Sequence, residues 1–128
     1  MKIKQLDHLV LTVTDLQSTI SFYTEILGME QIRFGGHRQA LRFGNQKINL
    51  HLADHEFEPK ADKPSPGSAD LCFVVETPID EVCKELNFKG IEILEGPVQR
   101  TGASSAILSV YIRDPDGNLI ELANPIVC

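Results

Sequence analysis

Two histidines and two carboxylates stand between apolar neighbours at intervals that divide this chain into two similar halves. In the first half, Asp7-His8-Leu9-Val10 opens an extended apolar run and Leu50-His51-Leu52 closes the last one. In the second half, Asp70-Leu71-Cys72-Phe73 opens such a run and Ile120-Glu121-Leu122 closes the last one. Imidazole and carboxylate groups bind divalent transition metals, and two histidines with one carboxylate are the ligand set of non-haem Fe(II) oxygenases. The candidate metal ligands are therefore His8, His51, Asp70 and Glu121.

Strand alternation predicts that these four side chains lie on one kind of sheet face. In the first strand, Leu9, Leu11 and Val13 share one face and His8 lies on the other. The residues around His51, Asp70 and Glu121 follow the same rule. We expect the apolar faces to meet helices, and two curved sheets facing each other would then bring the four polar side chains into one cavity.

The order of elements predicts an internal repeat, and a repeat decides the fold when one is present. The first half indicates a strand over 3–13, a helix that starts at the capping box Thr14-Asp15-Leu16-Gln17 and ends at Gly28, and strands near 29–34, 38–44 and 46–52. The second half indicates a strand over 69–76, a helix that starts at Thr77-Pro78, strands over 91–95, 106–113 and 118–123, and a tight turn at 114–118. Each half reads as strand, helix and three strands, so we predict an α+β fold. One domain would span 1–128, with module one at about 1–53, a linker at about 54–68 and module two at about 69–128.

Composition excludes several classes of partner. The 128 residues are 42% hydrophobic, enough for one globular core. The net charge of −6 and the absence of a basic stripe argue against nucleic acid. No apolar run is long enough to predict a membrane span, and the N-terminus lacks a signal-peptide core. The three cysteines, Cys72, Cys83 and Cys128, form no pairing pattern, which predicts a reducing compartment and a cytoplasmic protein.

Three stretches of the sequence resemble the vicinal oxygen chelate superfamily. They are HLVLTVTDL at 8–16, FYTEILGM at 22–29 and DPDGNLIEL at 114–122. The superfamily contains glyoxalase I, extradiol ring-cleaving dioxygenases, fosfomycin-modifying transferases and bleomycin-binding proteins. Within it, the stretches around His51 and Asp70 look closer to a glyoxalase-domain subgroup of undefined activity, which includes virulence-associated bacterial members.

The resemblance implies paired βαβββ modules that form a cup around a divalent metal (iron, nickel, zinc or manganese), commonly in a homodimer. His8 matches the family ligand on the first strand of module one, and Glu121 matches the ligand on the last strand of module two. His51 falls on the last strand of module one, where glyoxalase I often has glutamate. Asp70 falls where most active members have histidine, so it is either a fourth ligand or a group outside the coordination sphere.

Two classes of function follow from this resemblance. The first is a metal-dependent lyase, isomerase or dioxygenase that acts on a small oxygenated substrate, with Glu121 as the catalytic carboxylate that moves a proton. The second is a non-catalytic protein that binds a small molecule of the antibiotic type. Thiol transfer of the fosfomycin-resistance type is a third possibility, although its usual histidine is replaced here by Asp70.

Overall fold

The computed structural model describes residues 1–127, which form two compact units: unit one covers Met1–Gly67, and unit two begins at Ser68. Cys128, one of the three cysteines predicted to be unpaired, lies outside the described residues. Cys72 and Cys83 are free thiols. Over residues 1–127, no helix combines the length and the apolar character that a membrane crossing requires.

Unit one is a four-stranded mixed sheet with one helix. Its elements are β1 (His8–Val13), α1 (Leu16–Ser21), which continues as a π-helical segment (Phe22–Ile26), β2 (Glu30–Phe34), β3 (Arg38–Phe43) and β4 (Gln46–Leu52). The strand order is β1-β4-β3-β2, and β1 runs parallel to β4. The core of this unit includes Leu11, Val13, Tyr23, Ile48 and Leu50, all of them buried.

Unit two repeats this arrangement. Its elements are β5 (Asp70–Val74), α2 (Ile79–Phe88), β6 (Glu95–Thr101), β7 (Ala106–Arg113) and β8 (Leu119–Pro125), with the strand order β5-β8-β7-β6. Strand β5 is parallel to β8, and α2 packs against β7 and β8. The buried residues Val82 and Leu86 of α2 and Ile112 and Ile120 of the sheet belong to its core. The predicted α+β fold of two βαβββ modules is thus confirmed.

Both helices begin one residue later than the sequence patterns predicted. At α1 the capping residue is Asp15 rather than Thr14: the Asp15 backbone is extended, and its carboxylate accepts a hydrogen bond of 2.8 Å from the amide of Ser18. At α2 the capping position is occupied by Pro78, which has no side-chain hydrogen-bonding group. Instead, the backbone amide of Ile79 donates a hydrogen bond of 2.8 Å to the side-chain oxygen of Asn124, which lies in the last strand of unit two.

Strand β6 begins at Glu95, so the predicted strand over 91–95 is wrong. The amide of Ile91 bonds to the carbonyl of Leu86 in the last turn of α2, and the first backbone bond to β7 comes from Leu94, to Tyr111, the residue that Glu95 pairs with. A bulge between Glu95 and Val98 contains Gly96-Pro97, which reads in the sequence as a strand breaker. Gly96 is required there because its φ is +108° and a Cβ would run into the carbonyl oxygen of Ser109.

Asn124 connects β8 to the start of α2, and its loss is expected to destabilise unit two. Its amide donates to the carbonyls of Val75 and Thr77, each at 3.0 Å, in addition to the bond with Ile79. Replacing Asn124 by Ala removes all three bonds and leaves a helix end uncapped, so we expect the free energy of unfolding in urea to fall by about 2–3 kcal/mol. Asn87→Ala, at an exposed position of α2, is the matched control and is expected to change stability by less than about 0.5 kcal/mol. Equal stability of the two variants would contradict this role of Asn124.

Candidate functional site

The predicted ligands lie on the polar face of each sheet, which we define by strand register. In unit one, β1 and β4 pair His8 with Lys47, Val10 with Asn49 and Thr12 with His51, and all six side chains share one face. In unit two, β5 and β8 pair Asp70 with Leu119 and Cys72 with Glu121. Tyr111 of β7 lies opposite Glu121 on its other side.

This register corrects the expected correspondence between the two halves. His8 and Asp70 both begin the first strand of a module. Two residues later, Val10 pairs with Asn49 in unit one and Cys72 pairs with Glu121 in unit two, so Asn49 is the counterpart of Glu121. His51 is the counterpart of Ala123, two residues further along the last strand. The expectation that His51 and Glu121 occupy matching positions is therefore wrong. A shift by two residues keeps every side chain on the same face, so alternation in the sequence cannot detect it.

His8 is held in an orientation that suits a metal ligand. Its Nδ1 atom lies 2.8 Å from Oδ1 of the neighbouring Asp7, and its side chain is partly exposed. In the neutral ring this contact places the proton on Nδ1 and leaves the Nε2 lone pair available. A carboxylate on the second ring nitrogen is the usual outer partner of a metal-bound histidine.

His51 and Asn49 each bury a polar atom that has no hydrogen-bond partner among the described residues. The atoms are Nε2 of His51, which is 3% exposed, and Oδ1 of Asn49, which is 6% exposed. Burial lowers the pKa of His51, and the positive charge of Arg38 lowers it further, against the opposing charge of Glu56. The imidazole is therefore neutral at pH 7. Each unsatisfied buried group costs about 1–3 kcal/mol, so both mark places where a ligand group would be stabilised.

The segment 53–60 folds back onto unit one, where the sequence indicated only a connection between modules. Its first residues are tied to the sheet by bonds of 2.9 Å from Ala53 to Val13 and from His55 to Leu52. The Phe57 ring meets the His51 ring edge to face at 5.6 Å, and the Arg38 guanidinium lies 4.8 Å from the Phe57 centroid. This segment forms a wall beside His51.

Glu121 in unit two is surrounded by side chains that keep their protons. Its Oε2 accepts a hydrogen bond of 2.6 Å from Ser109 Oγ. Burial and the Glu121 charge raise the pKa of Cys72 to about 11. Burial also raises the pKa of Tyr111, with the Glu121 charge adding to it and the hydrogen bond from Arg100 opposing it. A hydroxyl, a thiol and a phenol thus face one carboxylate, which suits a metal ligand or a group that accepts a proton.

Each pair of predicted ligands shares a sheet face within its own unit. His8 and His51 are four residues apart along the β1–β4 pair, which is about 13 Å at the rise of a strand. Asp70 is exposed and lies two residues before the position opposite Glu121. Throughout residues 1–127, no three His, Cys, Asp or Glu side chains are grouped so that they could hold one metal ion. The four-ligand site stays a prediction.

Sequence reasoning missed Asn49 and Ser109. Both are polar residues on the same face as the predicted ligands, within apolar strands, and that pattern was the available signal. Their partners depend on strand register, which the pattern does not supply.

The chain consists of two βαβββ modules, each with polar residues on one face of its sheet. This architecture places it among the α+β proteins that are built from a repeated module. The family model of the Glyoxalase/Bleomycin resistance protein/Dioxygenase superfamily matches residues 5–122, and the chain belongs to this family. Virulence protein STM3117 of Salmonella typhimurium is 59% identical over 123 residues, which cover 96% of this chain and 85% of that protein. Its crystal structure has a TM-score of 0.97 at 58% identity and covers 98% of this chain and 100% of that one. The glyoxalase domain-containing protein RDO1 of Mycosarcoma maydis is 56% identical over 97% of this chain and 70% of its own length.

More distant structures share the fold alone and carry different names. A lactoylglutathione lyase from Agrobacterium tumefaciens has a TM-score of 0.73 at 23% identity and covers 97% of this chain and 96% of its own. The antibiotic binding protein TnmS3 from a Streptomyces species has a TM-score of 0.73 at 22% identity, with coverage of 98% and 99%. The fosfomycin resistance protein FosX from Listeria monocytogenes, complexed with Mn(II), has a TM-score of 0.67 at 22% identity, with coverage of 98% and 94%. Membership of the family therefore leaves the reaction open.

The contact between Cys72 and Glu121 predicts a slow thiol. With a pKa of about 11, Cys72 should react with iodoacetamide at pH 8 about 100-fold more slowly than a thiol of pKa 9, and its rate should rise until about pH 11. Glu121→Gln removes the negative charge that disfavours the thiolate, so the rate at pH 8 should increase by about threefold to tenfold. The rate is followed by mass spectrometry of the Cys72 peptide. Glu76→Gln, at an exposed position, is the control; if it accelerates the reaction as much as Glu121→Gln does, the assigned contact is wrong.

Proposed function

We propose that the protein is a divalent-metal-dependent enzyme that acts on a small oxygenated molecule as a lyase, isomerase or dioxygenase. The observation that carries the proposal is the environment of Glu121, an anionic carboxylate that faces three protonated side chains and accepts a bond from Ser109. The Asp7 contact of His8, which leaves the other ring nitrogen available, supports it from unit one.

In this proposal His8 and Glu121 are the principal metal ligands and Asp70 is a further carboxylate ligand. The metal (iron, nickel, zinc or manganese) would act as a Lewis acid toward two adjacent substrate oxygens. His51 was predicted as a ligand from the sequence. Because its register places it four residues from His8 and beside Arg38 and Phe57, we assign it to substrate binding instead.

The protein's own groups have separate roles around the carboxylate. Glu121 moves a proton to or from the substrate. The Ser109 hydroxyl donates to Oε2 and fixes the orientation of the carboxylate. Tyr111 is held by Arg100 and, like Cys72, keeps its proton at neutral pH, so both act as hydrogen-bond donors rather than bases.

We further propose that the active form is a homodimer, as the family resemblance implies. Light scattering after gel filtration measures this directly. A mass near 28 kDa, twice the 14.2 kDa of one chain, supports the proposal, and a mass near 14 kDa contradicts it.

A non-catalytic small-molecule-binding protein is the second candidate. The observation that favours it is that the described part of the chain groups no three side chains able to hold one metal ion. A protein that binds ligand without metal and without turnover would fit this function.

Metal content distinguishes the two candidates. Purified protein reconstituted with Fe(II), Ni(II), Zn(II) or Mn(II) should retain about one ion per site after gel filtration, measured by elemental mass spectrometry. Replacing both His8 and Glu121 by Ala should reduce retention by at least about 100-fold, because two ligands are lost together. His37→Ala, which removes an exposed histidine, should retain the wild-type amount.

Retention of metal by the double variant would overturn the ligand assignment. Retention by none of the proteins would favour the binding-protein candidate. Metal-loaded wild-type protein that turned over no α-ketoaldehyde adduct, catechol or epoxide would contradict the enzymatic proposal in the same way.

A further inference from the structure

A column of polar side chains runs along β4 on the polar face of unit one. It consists of Lys47, Asn49 and His51, at alternate positions of the strand, and we call it the β4 column. The neighbouring strand β3 places Arg42 beside Lys47 and Ala40 beside Asn49. Ala40 offers no polar side-chain group to Asn49, and the two buried polar atoms of the column, Asn49 Oδ1 and His51 Nε2, have no hydrogen-bond partner within residues 1–127.

Two cations at this column, Lys47 and Arg38, have no carboxylate partner among the described residues. Lys47 Nζ lies 4.1 Å from the Phe34 ring centroid, and the Arg38 guanidinium lies 5.2 Å from the same centroid. Neither side chain makes an ion pair or a hydrogen bond with any residue in 1–127. Arg42, by contrast, is already neutralised by Glu30 at 2.7 Å. Cations positioned by aromatic rings and free of a counter-ion are suited to bind an anion.

An open cavity adjoins one end of the column. It has a volume of about 560 Å³ and is lined by Phe34, Lys47 and Asp7, among others of unit one. This is within the range of small-molecule sites. Asp7 also contacts His8, so the cavity lies next to a proposed metal ligand.

We propose that the β4 column and Arg38 form a binding site for a small hydroxylated carboxylate. Arg38 and Lys47 bind the carboxylate group, while Asn49 Oδ1 accepts a hydrogen bond from a ligand hydroxyl and His51 Nε2 bonds a ligand oxygen or hydroxyl. The two buried atoms thereby gain the partners that the chain does not provide. The inference rests on the proposed function only in naming the class of substrate, since binding itself requires no metal.

The test uses three three-carbon probes that differ in one feature each. Glycerate has a carboxylate and hydroxyls, propionate lacks the hydroxyls, and glycerol lacks the carboxylate. Metal-free ¹⁵N-labelled protein is titrated with each probe, and dissociation constants are taken from amide and imidazole shifts. We expect glycerate to bind at least about tenfold more tightly than propionate or glycerol. The largest chemical-shift changes should occur at Lys47, Asn49 and His51.

Variants then assign the contacts. Arg38→Met keeps an apolar stem against the two phenyl rings and removes the charge, and it should weaken glycerate binding by about tenfold. Arg33→Met, at an exposed position of β2 on the opposite face, is the control and should stay within about twofold of wild type. Asn49→Leu should abolish the preference for glycerate over propionate. If that variant fails to fold, the propionate comparison in wild-type protein tests the same contact.

Three outcomes would overturn the inference: no glycerate binding, equal affinity for glycerate and propionate or glycerol, or wild-type affinity in Arg38→Met. Failure of the proposed function is seen separately in the metal measurements. A protein that binds glycerate as expected but retains no metal keeps this site and loses the metal-dependent enzyme.

Discussion

The parallel pairing of the first and last strands of each module is the constraint on which the polar faces depend. A parallel pair cannot be closed by a tight turn, so each module joins its paired strands by a long crossover, which here consists of a helix and two further strands. The pairing then decides which side chains become neighbours across the sheet. In unit two it places Cys72 beside Glu121, and in unit one it places Val10 beside Asn49.

In unit two this register is fixed by a turn of buried polar residues. Asp114 accepts hydrogen bonds from the amides of Asp116 and Asn118, each at 2.9 Å, and from the Asn118 side chain at 2.7 Å. Asn118, which is 1% exposed, in turn accepts a bond of 2.8 Å from the amide of Ala69, the residue before β5. The start of β5 is thereby tied to the start of β8. The Asp-Pro-Asp-Gly-Asn stretch predicted a tight turn, but its bond to Ala69 spans the module and is not visible in the local pattern.

The sequence predicted the fold better than the site. Strands β4 and β7 begin and end where alternation and turn residues placed them, because both carry strong local signals. The start of β6 was misplaced because a bulge at Gly96-Pro97 breaks the period within the strand. The register of the site failed for another reason: a shift of two residues preserves both the alternation and the burial of a strand. Long-range contacts, such as Phe57 against His51, have no local signal at all.

The same row of the repeat has different chemistry in the two modules. In unit two the row is Cys72, Glu121 and Tyr111, a charged carboxylate between two groups that keep their protons. In unit one the equivalent row is Val10, Asn49 and Ala40, which contains no titratable group. The positive charges on this face of unit one lie instead two residues before Asn49, at Lys47, and two residues after it, where Arg38 stands next to His51. A carboxylate with protic neighbours is equipped to move protons, whereas unpaired cations around neutral polar atoms are equipped to hold an anion. The repeat thus supplies one backbone arrangement twice, and the equivalent row carries titratable side chains in unit two but none in unit one.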